Sequence, residues 1–230
     1  MHRALKPVLG LLGAAAMGAA IAGGSIDTTP SWNGTTNAAP FGEADTATFG
    51  QSITTDAAGG RLQSFTFYLG PLNLDIRGYV YEWDGSKAVG SALYASNVFN
   101  IGDQFTGFKP TTVVTPDVPL SPDKQYVLFF SSSGLQVGRF NTGAWGALTT
   151  SAYSGGEFVF HNSSNDFSSL FSASGWDCSD GCGFMGNGAD LAFKAEIHPL
   201  LSSVPESTEY SLMLVGLCGL ALTVSLRRQL

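Results

Sequence analysis

Residues 62–69 read LQSFTFYL. Phe65, Phe67 and Leu69 fall on one side of an extended chain, and Ser64, Thr66 and Tyr68 on the other. Apolar and polar residues alternating at period two define a half-buried β-strand, because successive side chains point to opposite faces. Working outward, residues 75–83 (DIRGYVYEW) alternate in the same way. Ile76, Gly78 and Val80 oppose Arg77, Tyr79, Tyr81 and Trp83, and Asp84-Gly85 follows as a hairpin signal. Residues 124–131 (KQYVLFFS) and 156–161 (GEFVFH) are aromatic and β-branched runs bounded by Ser, Gly and Asp. Residues 190–197 (DLAFKAEI) set Leu191, Phe193, Ala195 and Ile197 inward and Lys194 and Glu196 outward. No amphipathic helix of ten or more residues interrupts these runs. The pattern predicts an all-β fold, an antiparallel β-sandwich or jelly roll, over residues 47–198.

The stretch at 23–46, rich in Thr, Asn, Ala and Pro, reads as an irregular lead-in, with the first strand near 46–53 (TATFGQSI). Residues 199–209 read as a linker, in which Pro199 and Pro205 oppose a continuous helix.

The two ends have a different character. Arg3 and Lys6 precede an uncharged apolar run from Val8 to Ile21, and Ala20-Ile21-Ala22 supplies the small-x-small pattern of a signal-peptidase site. Residues 1–22 are therefore expected to form a cleaved secretory signal helix. At the other end, Ser211 to Leu226 carries no charge and is dominated by Leu and Val. With Tyr210 the run reaches 226, roughly 25 Å long as a helix, against a hydrocarbon core of about 30 Å. A transmembrane helix is expected at 210–226. Arg227 and Arg228 in the basic tail 227–230 would hold its end on the cytoplasmic side.

Val204-Pro205-Glu206, a short polar step, the Leu/Gly-rich span and the terminal Arg227-Arg228 pair together resemble the tail of PEP-CTERM proteins. That sorting signal is also catalogued as the C-terminal domain of ice-binding proteins, a label that implies no ice binding. Ser207 stands where the family carries its second proline. The resemblance implies an exported protein of a Gram-negative bacterium, anchored in the inner membrane and then passed to the cell surface or matrix. Its processing partners would be signal peptidase and an exosortase. Residues 49–53 (FGQSI), 62–69, 79–85 (YVYEWDG), 90–94 (GSALY), 126–134 (YVLFFSSSG) and 190–197 also resemble a recurrent ectodomain of such proteins. That likeness implies an extracytoplasmic location and no particular chemistry.

Charge narrows the functional classes. Residues 23–203 hold seven Lys/Arg against sixteen Asp/Glu, a net of −9. This lacks the positive field that a phosphate backbone demands, so nucleic-acid binding is not expected. Cys178 and Cys182 in residues 176–184 (WDCSDGCGF) are expected to pair in an exported chain, adding about 2 kcal/mol by closing a small loop. Cys218 reads as a small hydrophobe in the tail. Gly181 to Gly186 fits G-x-G-x-x-G, but a strand follows rather than a helix, so no dinucleotide site is read there. Asp177, Asp180 and Asp190 lack EF-hand spacing and read as acidic turn residues facing water. No cofactor or metal is implied.

Outside the signal only His161 and His198 remain, and neither G-x-S-x-G nor H-E-x-x-H occurs. The spacing of a carboxylate pair for glycan hydrolysis is spatial, so sequence selects none. The chain thus reads as a non-catalytic envelope or exopolysaccharide-matrix protein. The alternative is a carbohydrate-binding module stacking polysaccharide on the face of Arg77, Tyr79, Tyr81 and Trp83, although aromatics at this density usually build cores, which favours a buried face there.

Overall fold

The computed structural model describes residues 24–44, 46–135, 141–172, 174–176 and 188–200. The signal 1–22, the span 210–226, the basic tail, Val204, Pro205, Glu206, Arg227, Arg228, Cys178 and Cys182 lie outside the described residues. The chain divides into two units, Met1–Pro199 and Leu200–Leu230; the fold below is that of the first.

Eleven strands run in chain order among the described residues: β1 (Ile26–Asp27), β2 (Asn37–Phe41), β3 (Thr48–Thr54), β4 (Gly60–Leu69), β5 (Arg77–Trp83), β6 (Ala88–Ala95), β7 (Lys109–Leu120), β8 (Gln125–Ser131), β9 (Gly143–Gly146), β10 (Phe158–His161) and β11 (Phe193–His198). Helical structure among them is limited to two 3₁₀ turns, Thr29–Ser31 and Phe167–Phe171. Every strand pairing is antiparallel. The first sheet runs β1-β11-β4-β9-β2 with β7 also on β4, and the second runs β10-β3-β8-β5-β6. Four pairings are nested: β5 with β6, β4 with β7, β3 with β8, and outermost β1 with β11.

The alternation read in 62–69 is realised. Phe65, Phe67 and Leu69 are fully buried while Ser64, Thr66 and Tyr68 stay partly exposed. Leu62, out of step with that alternation, is buried too, because a bulge lies between Leu62 and Ser64. Across it, Thr115-Pro116-Asp117 of β7 faces Gln63, with Asp117 at φ +60°. Against β11, where Ser64 pairs with Glu196 and Leu62 with Ile197, Gln63 is the one extra residue, and it turns Leu62 inward. β11 alternates as expected, with Phe193, Ala195 and Ile197 buried.

The two sheets meet across an aromatic core. Phe67 of the first sheet sits edge-on to Phe130 of the second, centroids 5.2 Å apart at 88°. Trp145 packs on Phe67 at 5.0 Å, on Phe41 at 5.0 Å and on Phe130 at 5.4 Å. Edge-to-face pairs add about 0.5–1.5 kcal/mol beyond area burial. The Asp84-Gly85 signal closes the β5–β6 hairpin. Asp84 Oδ1 accepts from Ser86 N (2.8 Å) and Lys87 N (2.9 Å), and Gly85 takes φ +96°, a conformation glycine adopts without steric penalty.

One expectation is corrected, and one strand goes unread in the sequence. The lead-in is not irregular: it supplies β1 and β2 to the first sheet. β2 escapes the pattern because it is an edge strand carrying Pro40 after a cis bond. β7 was not foreseen for a similar reason. Pro110, Pro116 and Pro119 are tolerated because β7 pairs on one side only, with β4.

Candidate functional site

Tyr79, Tyr81 and Trp83 share one face of β5, as expected, but that face is not open. Each is 7% exposed. The 3₁₀ turn Phe167–Phe171 and Trp176 lie over them. Tyr79 meets Phe167 at 4.9 Å, Tyr81 meets Phe171 at 5.2 Å, and Trp83 meets Trp176 edge-on at 5.2 Å. Leu170 is fully buried in the same cluster, and Trp176 is tied down through Nε1 to Leu170 O (2.9 Å) and N to Ser86 O (2.8 Å). Burial pushes the Tyr79 hydroxyl pKa up despite Arg77 beside it. The proposed sugar-stacking face of Arg77, Tyr79, Tyr81 and Trp83 is therefore a second hydrophobic core. The opposite face, Ile76 and Val80, joins the main core.

His161 Nε2 lies 3.0 Å from Ser169 Oγ, the spacing of a base and its nucleophile. The serine hydroxyl, however, donates to Asp166 O at 2.7 Å, which makes His161 Nε2 the donor in that pair. Asp166 Oδ1 accepts Ser168 N (3.0 Å), capping the 3₁₀ turn. The arrangement fastens the cover over β5.

Asp190 departs furthest from expectation. It does not face water: it is fully buried. Oδ2 accepts Ala152 N (2.7 Å) and Tyr153 N (2.8 Å), and Oδ1 accepts Gln51 Nε2 (2.7 Å). Gln51 Oε1 in turn accepts Leu191 N at 2.9 Å. The carboxylate clips the 147–157 connection onto β3, and burial raises its pKa against the pull of those donors. Asp177 and Asp180 lie outside the described residues. Among the described residues no group of three or more His, Cys, Asp or Glu converges.

Three of the hollows among the described residues bear on a site. One of about 350 Å³ is lined by Asp27, Thr54, Asp56, Tyr153 and Ile197. A second of about 590 Å³ is lined by Ser52, Trp83, Gln125, Ser154 and Glu157. A third of about 180 Å³ is lined by Pro40, Phe49, Phe158 and Phe160. Their polar groups largely serve the fold: Tyr153 Oη donates to Thr54 O (3.0 Å), and Ser52 Oγ accepts Glu157 N (2.9 Å).

A third aromatic group went unread in the sequence. Trp32, Tyr68 and Phe108 belong to neither core and are all partly exposed. Trp32 meets both others at 5.3 Å. They come from three separate stretches of chain, so no local pattern announces them.

These features define a two-sheet antiparallel β protein with a second aromatic core outside one sheet. No protein-family profile matches the chain, and no curated protein or solved structure matches it either. Among the described residues no helix is long and apolar enough to cross a membrane.

Proposed function

We propose that this chain is an exported, non-catalytic envelope or exopolysaccharide-matrix protein. It is held briefly by residues 210–226 and sorted through Val204-Pro205-Glu206 and Arg227-Arg228, as the PEP-CTERM resemblance implies. The observation that carries the reading is the pairing of β1 with β11, with Ile26 opposite Ala195 and Asp27 opposite Lys194. It puts Gly24 and His198 at one end of the sandwich. Cleavage after Ala22 leaves a short run before β1, and the tail departs beside it. A linker of residues 199–209 reaches up to about 35 Å when extended, so a membrane enzyme works on it without unfolding the domain. The nested pairings β5/β6, β4/β7, β3/β8 and β1/β11 support a jelly roll, a long antiparallel ribbon rolled into two sheets, with β2, β9 and β10 added.

Fractionation tests the reading. The full chain, tagged after Leu230 and expressed in a Gram-negative host with an exosortase, should leave its tag in the membrane while the sandwich is recovered outside. Tag and sandwich together in the cytosol, uncleaved, would overturn it.

A further inference from the structure

We propose that the outer face of the first sheet around Trp32, Tyr68 and Phe108 is a contact site for a neutral hexose polysaccharide. It rests on the export reading only for where that polymer is met. Trp32 is held still from three directions. Its Nε1 donates to Thr36 O at 2.8 Å, and its ring lies over Gly146, where a Cβ would come within 2.6 Å of it. Tyr68 and Phe108 flank it at 54° and 79°. The indole N–H is already satisfied, so what the ring offers to solvent is apolar. Rigid aromatic surface orders little on binding, and ring faces suit the C–H patches of a sugar.

The rest of this face supplies hydrogen bonding. One row along from Tyr68, roughly 7 Å away, Thr66 Oγ1 and Thr112 Oγ1 pair at 2.8 Å, and Lys194 Nζ binds Asp27 Oδ2 at 2.9 Å. In the next row Ser25 Oγ donates to Glu196 Oε2 at 2.6 Å. Hydroxyls and a mutually neutralised ion pair beside aromatic rings match a hydroxyl-rich, uncharged polymer. The chain's net charge of −7 disfavours a polyanion.

Affinity electrophoresis of the full chain in detergent tests this without any step of export. The gels would contain dextran, hydroxyethylcellulose, galactomannan or a soluble β-1,3-glucan, with alginate as the polyanion. At least one neutral polymer should retard the wild type. Trp32→Ala, and independently Tyr68→Ala combined with Phe108→Ser, should weaken the retardation about tenfold. Leu93→Ser on the other sheet should leave it unchanged, and near-UV circular dichroism identifies the folded variants. No retardation by any neutral polymer, retardation by alginate alone, or unchanged retardation of a folded Tyr68→Ala/Phe108→Ser variant would overturn the proposal.

Discussion

The Thr28 hydroxyl accepts the Phe193 amide at 2.9 Å, and in return the Thr28 amide donates to the Phe193 carbonyl at 3.0 Å. The same hydroxyl donates to Leu191 O at 2.7 Å, all with Thr28 only 1% exposed. One side chain thus fastens the first strand to the last. Thr28→Val keeps the shape but strands a buried amide and a carbonyl, and should cost about 2 kcal/mol in urea denaturation. Thr28→Ser should recover most of that loss. Equal stability of Thr28→Val and wild type would mean the clasp contributes nothing.

The second core makes a separate prediction. Trp176→Ala removes the ring stacked edge-on to Trp83 and Phe129 and should cost about 3–5 kcal/mol. Because the main core is untouched, the protein should stay folded at low denaturant while Trp83 becomes accessible. Acrylamide quenching of the remaining tryptophans should rise. No rise in a folded variant would show that the cover over β5 does not depend on Trp176.

Acid dependence separates two kinds of carboxylate. Asp27 lies below the usual range: partial burial opposes this, but the Thr29 and Lys194 hydrogen bonds outweigh it. In Asp84, likewise, Ser86 and Lys87 overcome slight burial. Both contribute stability above the ordinary 3.8 that is lost as pH falls through their lowered values. Asp190 runs the other way. Its pKa is raised by burial, so its contribution is complete below 3.8 and declines as pH rises through the folded value. Wild-type stability measured against Asp190→Asn should therefore be greatest below 3.8, fall as pH rises from there through the raised folded value, and level off beyond it. A constant difference across that range would contradict it.

Much of this fold was legible where a strand has one buried and one open face. Phe65, Phe67 and Leu69 in β4, and Phe193, Ala195 and Ile197 in β11, satisfy that condition, and Asp84-Gly85 marked the hairpin correctly. Reading failed where a distant segment supplies the environment. The aromatic density of Tyr79, Tyr81 and Trp83 favoured a core over a sugar-stacking face, but what covers them, Phe167, Leu170, Phe171 and Trp176, lies some ninety positions on and could not be read from β5. Asp190 sits among turn residues in sequence, yet Gln51 and two amides enclose it. β2 and β7 carry prolines that argue against strands unless their edge position is known. Trp32 looked like part of an irregular lead-in, because Gly146, which seats its ring, lies far along the chain.

Intact mass of the protein recovered from the cell surface and medium of an exosortase-bearing Gram-negative host tests the central claim most directly. The account predicts a chain that starts at Gly23, ends within the 199–209 linker or close after it, and contains the whole sandwich. Recovery only from the cytosol, at the 24.0 kDa of the uncut 230-residue chain, would contradict it.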